Sequence, residues 1–224
     1  MNKTKKTIIL IAVLAAAAVI IAVIAYNIVK KGKDAQAIET ASQLADPSSD
    51  AVLYDTYSID FSGYGKENTF ELMFSDTEFV IFVNKEAAAK GTYTKNGNEV
   101  VLEAEDGNGN AMTNNRLIAD TDRLLFEESM CQGTVPEGDT FDASVEMTDG
   151  IGTYIRYTFK SDGTYQVYEK GKDTAEEDAV TLNGTYKRNG QLIEQVLNGR
   201  EILPLYVYRD HVFTSYYTAV EESK

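Results

Sequence analysis

Residue types that usually carry chemistry are scarce in this sequence. Its 224 residues include no tryptophan, one histidine and one cysteine. A single cysteine cannot form an internal disulfide bond, so Cys131 is interpreted as a packing residue and the fold must depend on its apolar core. The sequence also lacks paired histidine ligands, a Cys-x-x-Cys pair, a Gly-x-Ser-x-Gly elbow and a phosphate-binding glycine loop. These absences exclude the common metal, redox and hydrolase motifs.

Positive charge is scarce beyond the N-terminus. Six of the 21 basic residues lie in the first 33 positions, which contain no acid, so the remaining residues carry 15 basic and 35 acidic side chains and a net charge of −20. Phosphate backbones and anionic lipid headgroups repel such a domain, so we expect no nucleic-acid partner. Solubility is the simplest reason for the acidity, and binding of cations or basic partners is the alternative.

Apolar residues are abundant at the N-terminus. An uninterrupted run from Ile8 to Ala25 continues to Val29, with three lysines on each side. The 22 residues of this segment span about 33 Å at helical rise, against a hydrocarbon core of about 30 Å. They predict one transmembrane α-helix over residues 8–29, after an inside tail of residues 1–7. A cleaved signal peptide is the alternative, although the run exceeds the usual length of a signal core.

The lysine-rich tail before the helix is typical of a segment that stays inside. We therefore predict a single-pass protein of the cell membrane with an extracytoplasmic C-terminal domain, and the lipid bilayer as its first partner. Residues 30–50 are predicted to form a stalk or linker. Ile38, Ala41 and Leu44 have helical spacing, and Pro47 ends the pattern.

From residue 51 onward the sequence has the pattern of short strands. Segments such as 78–83 and 152–159 are rich in aromatic and β-branched residues, and Asp-Gly, Asn-Gly and Ser-Asp turns separate the segments. Such runs between turn residues are typical of antiparallel strands joined by hairpins. This part of the chain is therefore predicted to be all-β.

The β region also contains an internal repeat. Gly-Thr-Tyr-Thr-Lys-Asn-Gly-Asn at 91–98 returns as Gly-Thr-Tyr-Lys-Arg-Asn-Gly-Gln at 184–191. Each copy is interpreted as the start of a strand followed by an Asn-Gly hairpin turn. Three further anchors keep the same order: 75–79 matches 161–165, 122–125 matches 210–213, and Ile59 falls opposite Val145.

These anchors predict two repeated antiparallel β-meanders, residues 51–132 and 140–224. The glycines and the proline at 133–139 mark a linker between them. Two small barrels and one closed barrel made of both halves are both compatible with the pattern.

A succession of motifs suggests a family. An aromatic strand leads into Ser-Asp-Gly-Thr-Tyr at 161–165, and a strand, a loop, Gly-Thr-Tyr with Asn-Gly at 184–190 and further strands follow. This order resembles the lipocalin-like small β-barrel domains of bacterial envelope proteins over most of residues 52–224. Thr77 replaces the turn glycine in the first copy, and the lipocalin Gly-x-Trp signature is absent. The resemblance implies a meander barrel that can bind a ligand, and it carries over no enzyme chemistry.

The only histidine suggests a catalytic arrangement. His211 lies beside Asp210 and four residues before Ser215, as in a Ser-His-Asp set. The repeat, however, places Arg123 at the position of His211. A position that accepts either arginine or histidine is typical of a strand end at the surface, so we expect no catalytic role there.

The best candidate for a metal site is a loop of oxygen ligands. Asp106, Asn108 and Asn110 imitate the start of a calcium loop. Ala111 and Leu117 stand where that loop requires glycine and a bidentate glutamate. A hairpin turn is therefore the expected structure, and we expect no metal site and no cofactor.

Two carboxylate pairs have the composition of a glycosidase acid and base. They are Glu103 with Glu105, and Glu127 with Glu128. Such pairs arise freely in an acidic domain, and alternate residues of a strand share a face that is expected to be solvated. We therefore expect no catalytic residues and no enzymatic activity.

Tyrosine is the abundant aromatic residue, and 13 of the 14 tyrosines lie beyond the apolar run. Tyr154, Tyr206 and Tyr208 occupy alternating strand positions, which favours core packing, with a sugar-binding or peptide-binding surface as the alternative. Asn183-Gly184-Thr185 is formally a glycosylation acceptor, which has meaning only in a eukaryotic secretory pathway.

These features predict a membrane-anchored, extracytoplasmic β-domain that acts as a non-catalytic binding or interaction module of the cell envelope. Its expected partners are the bilayer and either a small ligand or an envelope protein. A structural or regulatory subunit that docks on another membrane protein is the alternative. An enzyme of unknown class is the third hypothesis.

Overall fold

The computed structural model describes residues 44–60, 69–105, 115–149 and 152–220. Within them the protein is all-β, as the sequence predicts. The predicted transmembrane helix at 8–29 lies outside the described residues. Among the residues that are described, no helix has the length and apolar character needed to cross a bilayer.

Fifteen strands occur in the described part of the chain. They are β1 Thr56–Asp60, β2 Thr69–Ser75, β3 Glu78–Val83, β4 Glu86–Asn96, β5 Glu99–Glu105, β6 Asn115–Asp120, β7 Arg123–Phe126, β8 Ala143–Thr148, β9 Tyr154–Phe159, β10 Thr164–Lys170, β11 Val180–Asn189, β12 Leu192–Leu197, β13 Arg200–Tyr208, β14 His211–Phe213 and β15 Tyr216–Ala219. Short 3-10 turns occupy Glu127–Ser129 and Glu176–Asp178.

The strands form two barrels rather than one. The first is closed, in the order β1-β15-β7-β6-β5-β4-β3-β2, and the second is a nearly closed sheet in the order β14-β13-β12-β11-β10-β9-β8. All strand pairs are antiparallel, and most of them join strands that are consecutive in the chain. An eight-stranded barrel has an interior just wide enough for side chains, and Tyr57, Leu72 and Phe79 are buried in that of the first barrel.

The strand that closes the first barrel comes from the end of the chain. β15 pairs with β1 at Ala219 and Tyr57, and with β7 at Tyr216 and Leu125. Without β15, the facing edges of β1 and β7 would carry unpaired backbone groups. The first barrel is therefore completed by residues that follow the last strand of the second.

In the second barrel, residues that follow β7 bridge β14 and β8. Met130 forms a bridge to Phe213, and Gln132 forms one to Glu146. The Gln132 nitrogen donates to the Glu146 oxygen at 2.6 Å, and the Glu146 nitrogen donates back at 3.0 Å. Residues 130–132 thus occupy between β14 and β8 the place that β15 occupies between β7 and β1.

The two barrels therefore exchange their closing segments. The exchanged chains cross at Ser129, whose hydroxyl donates to the backbone oxygens of Phe126 and Ser215, both at 2.9 Å. Each exchanged segment also contributes to the other barrel's core, because Tyr217 is buried in the first and Cys131 in the second.

A third buried cluster joins the barrels. It contains Leu44, Ile118, Leu125, Tyr206, Phe213 and Tyr216. Ile118 and Tyr206 occupy equivalent places in β6 and β13, and Leu125 and Phe213 do so in β7 and β14. Both halves thus present the same positions to each other, as the two subunits of a symmetric dimer do.

The repeated phrase lies inside a strand rather than at its start. Gly91 is in the middle of β4, opposite Phe79, and Gly184 is in the middle of β11, opposite Tyr165. A Cβ on Gly184 would lie 2.4 Å from Cε1 of Tyr165, so the ring can cover the strand only because the side chain is absent. The prediction that Gly-Thr-Tyr begins a strand is wrong, because the strands extend further toward the N-terminus.

Both copies of the phrase end in a hairpin turn, but the glycine is the first of the two turn residues and not the second. Asn96 pairs with Glu99, and Asn189 pairs with Leu192. Gly97 and Gly190 both have φ 61°, as the first central residue of a type II′ turn requires. Each asparagine is therefore the last strand residue, and the eighth residue of the phrase is the second turn residue.

One anchor of the predicted repeat is displaced by two residues. Ile59 pairs with Phe70, and Met147 pairs with Ile155. Phe70 and Ile155 hold equivalent places in β2 and β9, so Ile59 corresponds to Met147 and not to Val145. Either choice keeps the apolar side chain on the inner face, because side chains alternate with a period of two.

Candidate ligand-binding cleft

The outer face of the second barrel carries a cleft between β9, β10 and the loop that follows β10. Its volume is about 410 Å³, which lies within the range of small-molecule sites. The lining residues are Gly152, Tyr154, Arg156, Tyr168, Lys170, Gly171, Lys172 and Glu176.

Strand register places four of these side chains in one patch. Tyr168 pairs with Arg156, and Lys170 pairs with Tyr154. Alternate residues of a strand point to the same side of a sheet, so the four side chains share the outer face. Ile155, between Tyr154 and Arg156, points to the core instead.

The aromatic rings of the cleft are held by their neighbours. The guanidinium carbon of Arg156 lies 5.2 Å from the ring centroid of Tyr168, and the rings of Tyr154 and Tyr168 meet edge to face at 6.0 Å. The Tyr154 hydroxyl donates to the carboxylate of Glu146. That hydrogen bond raises the pKa of Tyr154, so the phenol stays protonated at neutral pH.

The loop after β10 places a carboxylate against this patch. The Tyr168 hydroxyl donates to Oε1 of Glu176 at 2.5 Å, and the Lys170 ammonium donates to Oε2 at 2.5 Å. The hydrogen bond from Lys170 lowers the pKa of Glu176, and the same contact raises the pKa of Lys170. Glu176 is therefore ionised and Lys170 protonated at neutral pH.

The equivalent face of the first barrel has different chemistry. The pair Arg156–Tyr168 is replaced there by Glu71–Phe82. The loop is also replaced, because only Asn84 and Lys85 connect β3 to β4. The cleft therefore has no counterpart at the equivalent described positions of the first barrel, on β2, β3 and the turn that follows β3.

The cleft concentrates positive charge in an acidic chain. Arg156, Lys170 and Lys172 meet in it, although the chain as a whole has a net charge of −14. Glu176 offsets part of this charge at close range. Cations beside aromatic rings, with phenol and ammonium donors, form a surface that can bind an acidic ring compound.

The structure brings two of the three suspected triad residues together. Nε2 of His211 lies 3.7 Å from Oδ1 of Asp210, beyond hydrogen-bond length, and Nδ1 is buried without a hydrogen-bond partner in the described residues. Ser215 lies at the crossing of the exchanged chains, where its carbonyl accepts from Ser129. His211 begins β14 after a tight turn, as Arg123 begins β7.

The suspected carboxylate and metal sites lie elsewhere or outside the described residues. Glu103 is on β5 and Glu127 is in the turn after β7, where burial raises the pKa of Glu127. The candidate calcium loop at 106–110 is outside the described residues. Across the described ranges, no three His, Cys, Asp or Glu side chains are grouped to hold a metal ion.

The tyrosines divide between core and surface. Tyr206 is buried at the contact between the barrels, as expected for a packing residue. Tyr154 is not a core residue, because its strand turns it to the outer face, where it lines the cleft. Sequence reasoning missed Arg156, Lys170 and Lys172. The available signal was weak: one cation in each of β9 and β10 and a third in the loop after β10.

The fold and the cleft define an all-β protein of two antiparallel barrels with a small surface site. Comparison of the chain with protein-family models, with curated proteins and with solved structures finds no match.

Proposed function

We propose that the protein is a membrane-anchored, non-catalytic binding module of the cell envelope, and that its ligand occupies the cleft of the second barrel. The observation that carries this proposal is the joint presence of two tyrosines, an arginine and two lysines around about 410 Å³ of space. Such a cleft suits a small molecule, because ligand sites combine aromatic walls with a few polar groups.

The proposal differs from ligand binding by a lipocalin-like barrel in where the ligand sits. The inward-facing side chains of each barrel form a continuous buried cluster, with Tyr57 and Leu72 in the first and Phe159 and Ile193 in the second. The cleft lies on the outer face instead. The lipocalin-like resemblance thus contributes the expectation of a meander barrel, and the ligand site is argued from the cleft.

The test compares small molecules retained by three forms of the full-length protein, purified from its expressing cells and analysed by native mass spectrometry. The first is the unchanged chain, and the second is Arg156→Ala with Tyr168→Ala. The third is the matched control, Glu71→Ala with Phe82→Ala, at the equivalent positions of the first barrel. We expect a compound retained by the unchanged chain and the control but lost from the cleft variant. Equal retention by all three would contradict the proposal.

A second candidate function is docking on another membrane protein, and one observation favours it. Met73 and Val220 are large exposed apolar side chains on the first barrel. Thr56 lies between them, because it pairs with Met73 and its oxygen accepts from the Val220 nitrogen. Met73 and Val220 thus flank Thr56 and form a short apolar strip that crosses β2, β1 and the end of the segment after β15, and exposed apolar surface marks many protein contacts.

The docking function is tested by crosslinking in intact cells. Met73→Glu should abolish crosslinks to a membrane protein if the apolar strip is the contact surface. Val196→Glu is the matched control, since Val196 is an exposed apolar residue of the second barrel. Loss of the crosslink in both variants, or in neither, would argue against the strip.

A further inference from the structure

We infer that the ligand of the cleft carries a carboxylate, and that Glu176 occupies the place of this carboxylate until the ligand displaces it. The inference rests on the proposed function of the cleft and names the chemical class of its ligand. It also gives the loop of residues 171–179 a role as an internal competitor.

The Glu176 carboxylate occupies the position expected for a bound carboxylate. Its two oxygens accept separately from Tyr168 and Lys170, each at 2.5 Å. One carboxylate thus satisfies two donors that come from alternate residues of one strand. A ligand carboxylate in the same position would make the same two bonds, beside the Arg156 guanidinium that lies over the Tyr168 ring.

The ion pair between Glu176 and Lys170 is weak. The side chain of Glu176 is 71% exposed and that of Lys170 is 32% exposed. An ion pair in such surroundings contributes little to stability, because water screens it and the long side chains lose freedom. The contact orders the donors without blocking a competing carboxylate.

The loop that carries Glu176 is longer than the equivalent connection of the first barrel. Asn84 and Lys85 alone join β3 to β4 in the first barrel, whereas residues 171–179 join β10 to β11 in the second. The Glu176–Asp178 turn of this longer connection directs Glu176 onto β10. The added loop and the cations it covers occur together, whereas in the first barrel Glu71 stands at the position of Arg156 and Asn84 at that of Lys170.

The size and the aromatic walls of the cleft limit what the rest of the ligand can be. The cleft volume of about 410 Å³ suits a molecule of one or two rings. Tyr154 and Tyr168 provide aromatic surface beside the carboxylate position. A ring that carries a carboxylate, such as a uronic acid, matches both features, and a neutral sugar matches only one.

The test is a calorimetric titration of the full-length protein with D-galacturonate, and D-galactose serves as the neutral probe. Glu176→Gln keeps the shape of the side chain and removes its charge. Glu177→Gln is the matched control, because it removes the same charge from the same turn while Tyr168 and Lys170 keep their bonds to Glu176.

We expect Glu176→Gln to lower the Kd for galacturonate by about 2- to 5-fold, the factor that corresponds to loss of an exposed ion pair. Glu177→Gln should leave the Kd close to that of the unchanged chain. Lys170→Met should weaken binding, and galactose should respond to none of these changes.

Three results would overturn the inference. Equal effects of Glu176→Gln and Glu177→Gln on the Kd for galacturonate would mean that only the net charge of the loop matters. Weaker binding by Glu176→Gln would mean that Glu176 helps to bind the ligand and does not compete with it. Absence of galacturonate binding by Glu176→Gln near the solubility limit of the probe would exclude the carboxylate. The proposed function fails separately, when Arg156→Ala with Tyr168→Ala retains the same compounds as the unchanged chain.

Discussion

At the scale of single residues, the contact between the barrels depends on two equivalent polar side chains at the ends of the repeated phrase. Asn98 donates from Nδ2 to the Tyr208 hydroxyl at 3.0 Å and to the Leu44 oxygen at 3.2 Å. Gln191, in the second copy, donates to Asp120 at 2.8 Å. The phrase is a scaffold element whose last residue binds the opposite barrel.

Tyr206 completes this polar contact and offers a direct test. Its hydroxyl lies 2.8 Å from both Oδ2 of Asp120 and Oε1 of Gln191. Tyr206→Phe should lower the free energy of unfolding by about 1–2 kcal/mol, because the partly buried carboxylate of Asp120 loses the hydroxyl that donates to it. Urea unfolding followed by circular dichroism measures the loss. Tyr93→Phe, whose hydroxyl bonds an exposed carbonyl, should cost less, and the reverse order would contradict the assignment.

Buried phenols predict a loss of stability at alkaline pH. Burial raises the pKa of Tyr57 from 10.0 to about 12, and burial also raises the pKa of Tyr217. A group whose pKa is raised by folding stabilises the protein fully below its unfolded pKa and loses that effect as the pH rises through its folded pKa. Stability should therefore fall between pH 10.0 and about 12, as measured by urea unfolding across this range.

Tyr57→Phe provides the control for the alkaline effect. Phenylalanine cannot ionise, so the variant should lose less stability over the same pH interval than the unchanged chain. An equal or steeper fall would mean that Tyr57 does not contribute to the transition.

At the scale of elements, the exchange of closing segments makes the last strand part of the first barrel. Tyr217 packs against Phe126 with ring centroids 4.9 Å apart. Val220 continues the pairing beyond β15, because its nitrogen donates to the Thr56 oxygen at 2.9 Å. A change near the C-terminus should therefore be felt near residue 56.

Tyr217→Ala tests the exchange. Loss of a large buried ring should destabilise the protein by about 3–5 kcal/mol. Hydrogen exchange should show the lost protection in β1 and β7, which flank β15. Thr218→Ala on the same strand is the control and should change protection little. Loss confined to β8 through β14 would mean that the exchange does not occur in solution.

At the scale of the whole molecule, the two barrels are structurally interdependent. Without the segment that the other half supplies, each barrel would be left with open strand edges. The buried cluster of Leu125, Phe213 and Tyr216 lies between the barrels. The segment before the first barrel also reaches both halves. The Asp46 nitrogen donates to Asn98 at 2.6 Å, and its carboxylate lies 3.3 Å from the Arg209 guanidinium.

Cutting the chain between the halves tests this interdependence. A protease site inserted between Glu137 and Gly138, which are both exposed, allows cleavage after folding. We expect the two fragments to stay together in size-exclusion chromatography and to separate only in denaturant, because the exchanged segments hold paired strands and core residues. Separation of the cut fragments in native buffer would show that each barrel is self-sufficient.

The sequence by itself determined the all-β class, the position of most turns and the repeated order of strands. These depend on local preferences, because alternation and turn residues act over a few positions. Asn198-Gly199 shows this well, since both residues have positive φ in the hairpin after β12. The hairpin predicted at 91–98 is confirmed, whereas the predicted start of its strand at Gly91 is wrong, because β4 begins at Glu86.

Only the tertiary structure decided which barrel each closing segment joins. Residues 130–132 and β15 close edges that are built from equivalent positions, so local sequence alone does not say which barrel each segment joins. In the structure the two chain segments cross at Ser129 and Ser215. The cleft was likewise fixed by strand register and by the fold of the loop that brings Glu176 to Lys170. No short stretch of sequence encodes the closing contacts or the cleft, because both bring together residues that become neighbours only when the strands pair.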